Sequence, residues 1–351
     1  MPEQVYHSLE IQAWEGRWFA QQNSSFGLMQ QVAWAISQRL DVLFQNQFQN
    51  EYSHIQKIAV WCGAGNNAGD GYCIASYLKQ KGYAVEIFAT ETGNSADLKS
   101  AIDIAKQNQV PIHQLHAQIN TKQVFDCHID ALFGIGLNRN LDESWQSVIE
   151  NFNAQTALKI AIDLPSGLNA NTGQPLPIAI KADYTYTVLG LKAGLFTGQG
   201  KEYSGIVEVI SAIPTDSKLN ALAQLSLLNI QLPQRQAFGH KGSYGHVLVV
   251  GGHAEMGGAV MMAGESAFSA GAGKVTIVCD AKHHTAILAR SPNIMLRDIN
   301  LLSDQEIQNL LDHVDAVSFG MGLGRDDWAK QQFVKWFAPI QKSQHLQTVL
   351  D

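Results

Sequence analysis

The sequence predicts an α/β protein built from two successive parallel sheets. Short apolar runs, such as residues 58–62 and 85–89, alternate with helix-like segments, and a strand–loop–helix–strand order makes neighbouring strands parallel. The alternation starts again at His240, after a connection that contains prolines. At ~150 residues per domain, the 351 residues correspond to about two domains. We therefore predict a first domain over residues 1–215, a linker over 216–236 and a second domain over 237–351.

The first domain begins with a helical region and continues as one doubly wound α/β pattern. Residues 11–48 are predicted to be helical, with Ser24 and Ser25 as the cap before an apolar repeat that starts at Phe26. The later helices are predicted over residues 72–81, 97–107 and 145–152, and the strands over 58–62, 85–89, 128–133, 158–162, 184–189 and 205–210.

The second domain shows the same texture. A helix is predicted over residues 259–270, and the apolar stripe of residues 328–336 has helical spacing typical of a core-facing helix. The strands are predicted over residues 247–250, 275–278, 316–319 and 348–351.

Composition excludes several classes of protein. The formal charge is −7 and only 16% of residues are charged, which argues against a nucleic-acid-binding surface and against a disordered polyelectrolyte. The four cysteines lie far apart, as expected for reduced thiols in a cytoplasmic protein. No apolar run approaches the ~18 residues of a membrane span, and the N-terminus has no basic cluster typical of a signal peptide.

The first glycine-rich loop, residues 63–68, satisfies the dinucleotide fingerprint G-x-G-x-x-G/A between a strand and a helix. A glycine turn of this kind is also common as a plain tight connection. Asn66, Asn67 and Asp70 place two amides and a carboxylate where a pyrophosphate would otherwise lie. A carboxylate repels phosphate, so the loop favours recognition of hydroxyls or ring edges and coordination of a cation by oxygen. The alternative for Asp70 is a helix cap.

Two further acids follow predicted strands. Asp130 lies at the end of one apolar strand and Asp163 at the end of the next. A single aspartate at a strand end is often only a turn former. Ligands of open α/β sheets bind outside the carboxyl ends of the strands, so acids and amides in three consecutive units are predicted to converge on one crevice.

Three motifs in this order resemble the N-terminal domain of the bifunctional NAD(P)H-hydrate repair enzymes. They are Gly63-x-Gly-Asn-Asn-x-Gly-Asp-Gly71, Asp130-x-x-Phe-Gly-x-Gly-Leu-x-Arg139 and Asp163-x-Pro-Ser-Gly167, and Lys192-x-Gly194 fits the same pattern. The resemblance implies a three-layer, Rossmann-like fold. It also implies repair of NADH or NADPH that carries a hydroxyl at C6 of the nicotinamide ring, by interconversion of its R and S epimers.

The resemblance also implies roles for individual residues. Asn67, Asp130 and Ser166 would hold a potassium ion, and their amide, carboxylate and hydroxyl oxygens suit a large monovalent cation. Asp163 would be the general base that moves the hydroxyl proton; whether the carbon–oxygen or the carbon–nitrogen bond then opens is left open. The substrate would contact Asn66, Asn67, Ala68, Gly69, Asp70, Gly134, Ile135, Gly136, Leu137, Asn138, Arg139, Asn140 and Asp163.

The second domain is similar to the ADP-dependent dehydratase half of the same enzymes, which has a ribokinase-like fold and uses ADP and Mg²⁺. The motifs that support this similarity are His240-Lys-Gly-x-x-Gly245 and Gly320-Met-Gly-Leu-Gly324. Ala259 and Gly322 would contact the substrate. The family's later Gly-x-Gly-Asp segment does not follow residue 324, so the domain is expected to be partial and this chain to lack dehydratase activity.

Two stretches depart from the family's pattern. Ala68 replaces a glycine, and residues 28–34 differ from the usual Leu-Met-Glu-x-Ala-Gly, so the contribution of the N-terminal helix to the pocket is left open. Three other functions compete with epimerisation: an NAD-dependent oxidoreductase, a small-metabolite kinase and a non-catalytic nucleotide-binding scaffold. Self-association into a homo-oligomer is a further expectation, whereas nucleic-acid and membrane partners are not expected.

Overall fold

The computed structural model describes residues 3–45, 54–90, 93–115, 125–226 and 234–351. The chain divides into two compact units, Met1–Leu227 and Leu228–Asp351. Each unit has its own parallel sheet and its own apolar core. The predicted α/β class is therefore confirmed, whereas the limits set for the linker remain predictions.

A seven-stranded parallel sheet forms the centre of the first unit. The first three strands of this sheet, in chain order, run from its centre to one edge. The fourth strand lies on the other side of the first, and the remaining strands continue to the opposite edge. This reversal of direction creates a switch point between the first and fourth strands. The strands are β2 (Lys57–Cys62), β3 (Ala84–Ala89), β4 (Ile112–Gln114), β5 (Cys127–Ala131), β6 (Leu158–Ile162), β7 (Tyr184–Val188) and β9 (Ile206–Ile210), in the order β4-β3-β2-β5-β6-β7-β9.

Helices cover both faces of this sheet. Side chains alternate along a strand: Ile58 and Val60 of β2 face a core shared with the second to fourth helices, and Trp61 faces a second core with the fifth. The predicted three layers are thus confirmed. The helices are α1 (Ser8–Phe19), α2 (Ser25–Gln45), α3 (Asn66–Gln80), α4 (Ala96–Gln107), α5 (Glu143–Ala154) and α6 (Gly200–Ser204).

Two helix predictions were wrong in their bounds. The region predicted as one helix from residue 11 is two helices, because the chain turns between them with Gln22 at φ +65°; residues 46–48 lie outside the described residues. Ser24 caps the second helix, since its Oγ accepts a 3.0 Å hydrogen bond from the Gly27 amide. Helix α3 begins at Asn66 rather than at residue 72.

A small three-stranded sheet accompanies the main one. It joins β1 (Gln4–Tyr6), β8 (Leu191–Lys192) and β10 (Ala223–Gln224) in the order β10-β1-β8. Part of the stretch predicted as a linker therefore forms a strand of the first unit. No helix among the described residues has the length and apolar character needed to span a bilayer.

The second unit carries a five-stranded parallel sheet with helices packed against apolar cores on its two faces. Its strands are β11 (His246–Val250), β12 (Lys274–Cys279), β13 (Met295–Asp298), β14 (Ala316–Phe319) and β15 (Gln347–Leu350), in the order β13-β12-β11-β14-β15. Its helices are α7 (Gly257–Ser269), α8 (His284–Arg290), α9 (Asp304–Leu311) and α10 (Asp327–Lys342).

Candidate functional site

A cavity of about 720 Å³ lies at the carboxyl ends of β2, β5 and β6. This is the switch point of the first sheet, where open α/β folds bind their ligands. Helices α1 and α2 supply one wall, including Phe19 and Met29, and the start of α3 and the loops after β5 and β6 supply others. The N-terminal helices therefore do contribute to the pocket, a question that the sequence left open.

The first glycine of the loop brings two strand ends together. A Cβ atom at Gly63 would lie 2.1 Å from the carbonyl oxygen of Leu132, so only glycine allows this approach of β2 to the end of β5. Gly65, in extended conformation, precedes α3, and the first helical turn then presents Asn66 and Asn67 to the cavity.

Asp130 is buried at the end of β5 and does not line the cavity. Its side chain is fully buried, and Oδ1 accepts hydrogen bonds from the Ser166 hydroxyl at 2.6 Å and the Leu132 amide at 3.1 Å. Oδ2 accepts from the Ser166 amide at 2.8 Å. Burial raises the pKa of the Asp130 carboxyl to about 7, against the opposing effect of these hydrogen bonds.

The predicted potassium ligands fit a cation in their chemistry. Both polar atoms of the Asn67 side chain are buried and lack a hydrogen-bond partner among the described residues. An orphaned buried amide oxygen is costly unless something binds it. With the carboxylate of Asp130 and the hydroxyl of Ser166, it provides the neutral and anionic oxygens that hard cations prefer. The described residues form no cluster of three or more His, Cys, Asp or Glu side chains suited to a transition metal.

Asp163 is held by a buried lysine. Its Oδ1 accepts hydrogen bonds from Lys192 Nζ at 2.5 Å and from the Val188 amide at 3.2 Å. Lys192 is fully buried, and its Nζ also donates to Thr187 Oγ1 at 3.0 Å and to the carbonyl oxygen of Val188. An ammonium has three protons, so none is left for a ligand. Lys192 therefore serves to position Asp163 and to neutralise its charge.

The backbone of Asp163 adds to this placement. The residue has φ +68°, in the left-handed region that costs a side-chain-bearing residue about 1–3 kcal/mol and persists only where the surroundings enforce it. A methyl group at Gly134 would lie 3.2 Å from Asp163 Oδ2, which places that oxygen beside the glycine loop and in the cavity wall. With Oδ1 engaged by the lysine, Oδ2 is the oxygen available to take a proton from a ligand.

Two more carboxyls enter the same cavity. Glu15, on α1, has a pKa raised to about 7 by burial and by the negative charge of Asp163, against the lowering effect of Lys192. Asp70, on α3, has a pKa raised well above its usual value by burial and by the charges of Asp163 and Glu15. The cavity therefore combines a carboxyl group held by a buried lysine with two carboxyl groups whose pKa values are raised, a combination typical of functional sites.

The structure brings most of the predicted substrate residues to one wall but leaves six aside. Ala68 and Gly69 are buried in the helix core, where Gly69 packs against Met29. Asn138 and Asn140 lie in the loop but outside the cavity lining. Those that line the cavity are Asn66, Asn67, Asp70, Gly134, Ile135, Gly136, Leu137, Arg139 and Asp163.

The remaining two lie in the second unit. There, the His253 amide donates to the Gly322 carbonyl at 2.8 Å, and Gly322 adopts φ +66° with its Cα against the Met256 carbonyl. Ala259 is exposed in the first turn of α7. Ala259 thus lies in the helix that follows β11 and Gly322 in the loop that follows β14, and their roles remain predictions.

Sequence reasoning missed two residues of the first cavity. It noted Lys192 only as part of a motif; a lone lysine inside the apolar run of residues 188–195 was the available signal. It gave no role to Glu15, which follows Ile11 by one helical turn and so lies beside the buried stripe of α1.

Two family models match the chain. The model described as YjeF-related protein N-terminus matches residues 25–194, and the model described as NAD(P)H-hydrate dehydratase matches residues 247–351. Each match falls within one of the two compact units.

Several curated relatives and solved structures are similar to this chain. The Bifunctional NAD(P)H-hydrate repair enzyme Nnr of Coxiella burnetii is 34% identical over 78% of this chain and 57% of its own length. The protein of the same name from Escherichia coli is 31% identical over 82% of this chain and 56% of its own length. A ribokinase-like superfamily protein from Enterococcus faecalis is 32% identical over 33% of this chain and 40% of its own, with a TM-score of 0.29. The chain thus spans a little over half the length of the two curated relatives.

Proposed function

We propose a function from one premise: this chain belongs to the family of bifunctional NAD(P)H-hydrate repair enzymes. Its first unit interconverts the R and S epimers of hydrated NADH or NADPH. The observation that carries this proposal is the cavity in which Asp163, ion-paired with buried Lys192, faces a glycine loop and the start of α3. A fixed carboxylate beside a ligand cavity of this size suits transfer of a hydroxyl proton.

Each part of the cavity has a role in this reaction. Asp163 Oδ2 accepts the proton of the hydroxyl group on C6, while Lys192 holds the carboxylate in position. The amides of Asn66 and Asn67 and the glycine loop at Gly134 position the nicotinamide ring. The apolar walls around Phe19 and Met29 exclude water from the reacting carbon.

A potassium ion fits this site beside the substrate. Asn67, Asp130 and Ser166 would hold it, and the bound ion would supply positive charge near the start of α3. Its binding would satisfy the orphaned amide oxygen of Asn67 and would compensate the buried carboxylate of Asp130. These residues order the loops that follow β5 and β6, since the Ser166 hydroxyl also accepts a hydrogen bond from the Phe133 amide at 2.8 Å.

The test starts from one purified epimer of hydrated NADPH. The chain, in potassium buffer, is expected to bring it to the equilibrium mixture far faster than buffer alone, as followed by chromatography that separates the epimers. No acceleration by the wild-type chain would reject epimerisation. Oxidation or reduction of the nicotinamide in the presence of a carbonyl substrate would instead favour an oxidoreductase.

The second unit favours a second activity, the ADP-dependent dehydration of one epimer, on the strength of its match to the dehydratase model over residues 247–351. We propose that this activity requires the Gly-x-Gly-Asp segment that the resemblance implies, and that these 351 residues, which contain no such segment after residue 324, do not carry it out by themselves. Addition of ADP and Mg²⁺ tests this prediction, because dehydration restores the absorbance of NADPH. Restored absorbance, at concentrations of the chain that exchange epimers, would contradict it.

A further inference from the structure

Glu15 lies in the first cavity without a role in the function proposed above. It belongs to α1, ahead of the residues 25–194 that match the family model. Its neighbours in the cavity lining include Asp70, Asp163 and Lys192. Among the described residues, no hydrogen bond uses its carboxyl group, and Lys192 is the positive charge that lowers its pKa.

The charges facing Glu15 are unbalanced. Asp70 on α3 and Asp163 after β6 are acidic, as is Asp97 on α4, whereas Lys192 on β8 and Arg139 after β5 are the basic side chains of this lining. Helix α2 adds no charged side chain to it. Lys192 is already paired with Asp163 at 2.5 Å, so its positive charge mainly compensates the charge of Asp163.

Burial among these carboxyls keeps a proton on Glu15 near neutral pH, with its pKa raised to about 7. The pKa of Asp70 is also raised, by burial and by the charges of Asp163 and Glu15. A group that both gives and takes a proton rapidly has a pKa close to the working pH. Glu15, which lines the cavity together with Asp163, is therefore suited to proton transfer.

We infer that Glu15 is the second proton-transfer residue of this cavity, acting on the ring nitrogen of the substrate while Asp163 acts on its hydroxyl. The inference rests on the proposed epimerisation. Asp163 takes the hydroxyl proton first. The C6–nitrogen bond then opens, and the ring nitrogen at its other end requires a proton. Glu15 and Asp163 lie in the lining of the same cavity, which allows one ring to contact both.

The proton and electron balance closes within one turnover. Asp163 takes the hydroxyl proton, the oxygen forms a carbonyl with C6, and the C6–nitrogen bond breaks. Its electron pair goes to the ring nitrogen, which takes the proton of Glu15. Rotation about the bond next to C6 presents the opposite face of the carbonyl. The nitrogen then adds to that face, its proton returns to Glu15 and the proton on Asp163 returns to the oxygen.

This arrangement predicts a specific pH dependence. Exchange needs protonated Glu15 and ionised Asp163, so the wild-type rate should fall as the pH rises above about 7. In Glu15→Gln, kcat for epimer exchange should drop roughly 10²–10³-fold. KM should change by less than threefold, and the decline above pH 7 should disappear. A merely structural role would not remove that decline. Glu15→Asp should restore part of kcat.

The matched control is Glu10→Gln, which removes a carboxylate from the same helix outside the cavity lining. It should exchange epimers at the wild-type rate, and thermal unfolding checks that each variant is folded. Wild-type exchange combined with an unaffected Glu15→Gln variant would overturn this inference alone. Absence of exchange by the wild type would overturn the proposed function and, with it, the inference.

Discussion

Removal of the Asp163 charge is expected to damage both activity and stability, because its partner is a lysine with no exposed surface. The Asp163 side chain is 11% exposed and that of Lys192 is 0% exposed. Loss of one partner of a buried ion pair costs about 3–5 kcal/mol, since the other charge is left uncompensated. In Asp163→Asn, the carboxamide still accepts a hydrogen bond from Lys192 but carries no charge, so we expect a loss near the low end, about 3 kcal/mol.

A double-mutant cycle separates the ion pair from other effects of the substitution. Lys192→Met removes the cation, and the double variant Asp163→Asn/Lys192→Met removes both charges. If the pair is coupled as its 2.5 Å contact indicates, the double variant should lose less free energy of unfolding than the two single variants together. The difference should be about 1–3 kcal/mol. Chemical unfolding in urea at constant pH and potassium concentration measures each free energy, with unchanged m-values as the check on the unfolded state.

Two outcomes would refute this reasoning. Additivity of the single losses within about 0.5 kcal/mol would show that the two charges do not stabilise each other. Wild-type stability of Asp163→Asn would show that Lys192 does not need the carboxylate. The activity arm uses the same proteins: both variants that lack Asp163 should lose epimer exchange, whereas Lys192→Met should retain part of it because the base is still present.

Three further predictions follow from the first unit. Gly63→Ala should destabilise it by more than about 2 kcal/mol, since the new Cβ would lie 2.1 Å from the Leu132 carbonyl oxygen. The control Gly65→Ala, with open space around it, should cost less than about 1 kcal/mol in urea unfolding. Burial lowers the pKa of His128 to about 4 from 6.5, so the unfolded chain binds the extra proton and stability is lost as the pH falls from about 6.5 to 4. That loss is about 2 kcal/mol by pH 5, and His128→Gln should abolish it; an unchanged pH slope would contradict the assignment. Potassium should raise the unfolding temperature more than an equal concentration of tetramethylammonium, and Asn67→Ala should remove the difference; a difference that survives the substitution would exclude Asn67 as a ligand.

The strands were the most predictable part of the fold. The strands at residues 158–162 and 316–319 have the predicted bounds, because each is a mainly apolar run that ends at a polar or glycine residue, Asp163 or Gly320. The start of α3 was missed because Gly69 and Gly71 lower helix propensity. In the structure these glycines allow close packing, Gly69 against Met29 and Gly71 against Ala131. Tertiary contacts thus decide a helix start that local preference disfavours.

The location of the candidate site could be predicted from the sequence, whereas the roles of its residues could be predicted only in part. The rule for strand ends located the crevice, and both Asp70 and Asp163 line it. Residue types and spacing do not separate Asp130, which is buried and bonded to Ser166, from the acids that line the cavity. Lys192 is 29 positions from Asp163, so their contact exists only once β6, β7 and β8 are assembled.

The most direct test of the central claim is the rate of epimer exchange at equilibrium. Magnetisation exchange between the C6 protons of the two epimers, measured by NMR with catalytic amounts of protein, reports this rate without a coupled reaction. The account predicts exchange with the wild-type chain and a loss of roughly 10²–10⁴-fold with Asp163→Asn. Equal exchange rates for the two proteins would contradict the assignment of Asp163 as the base.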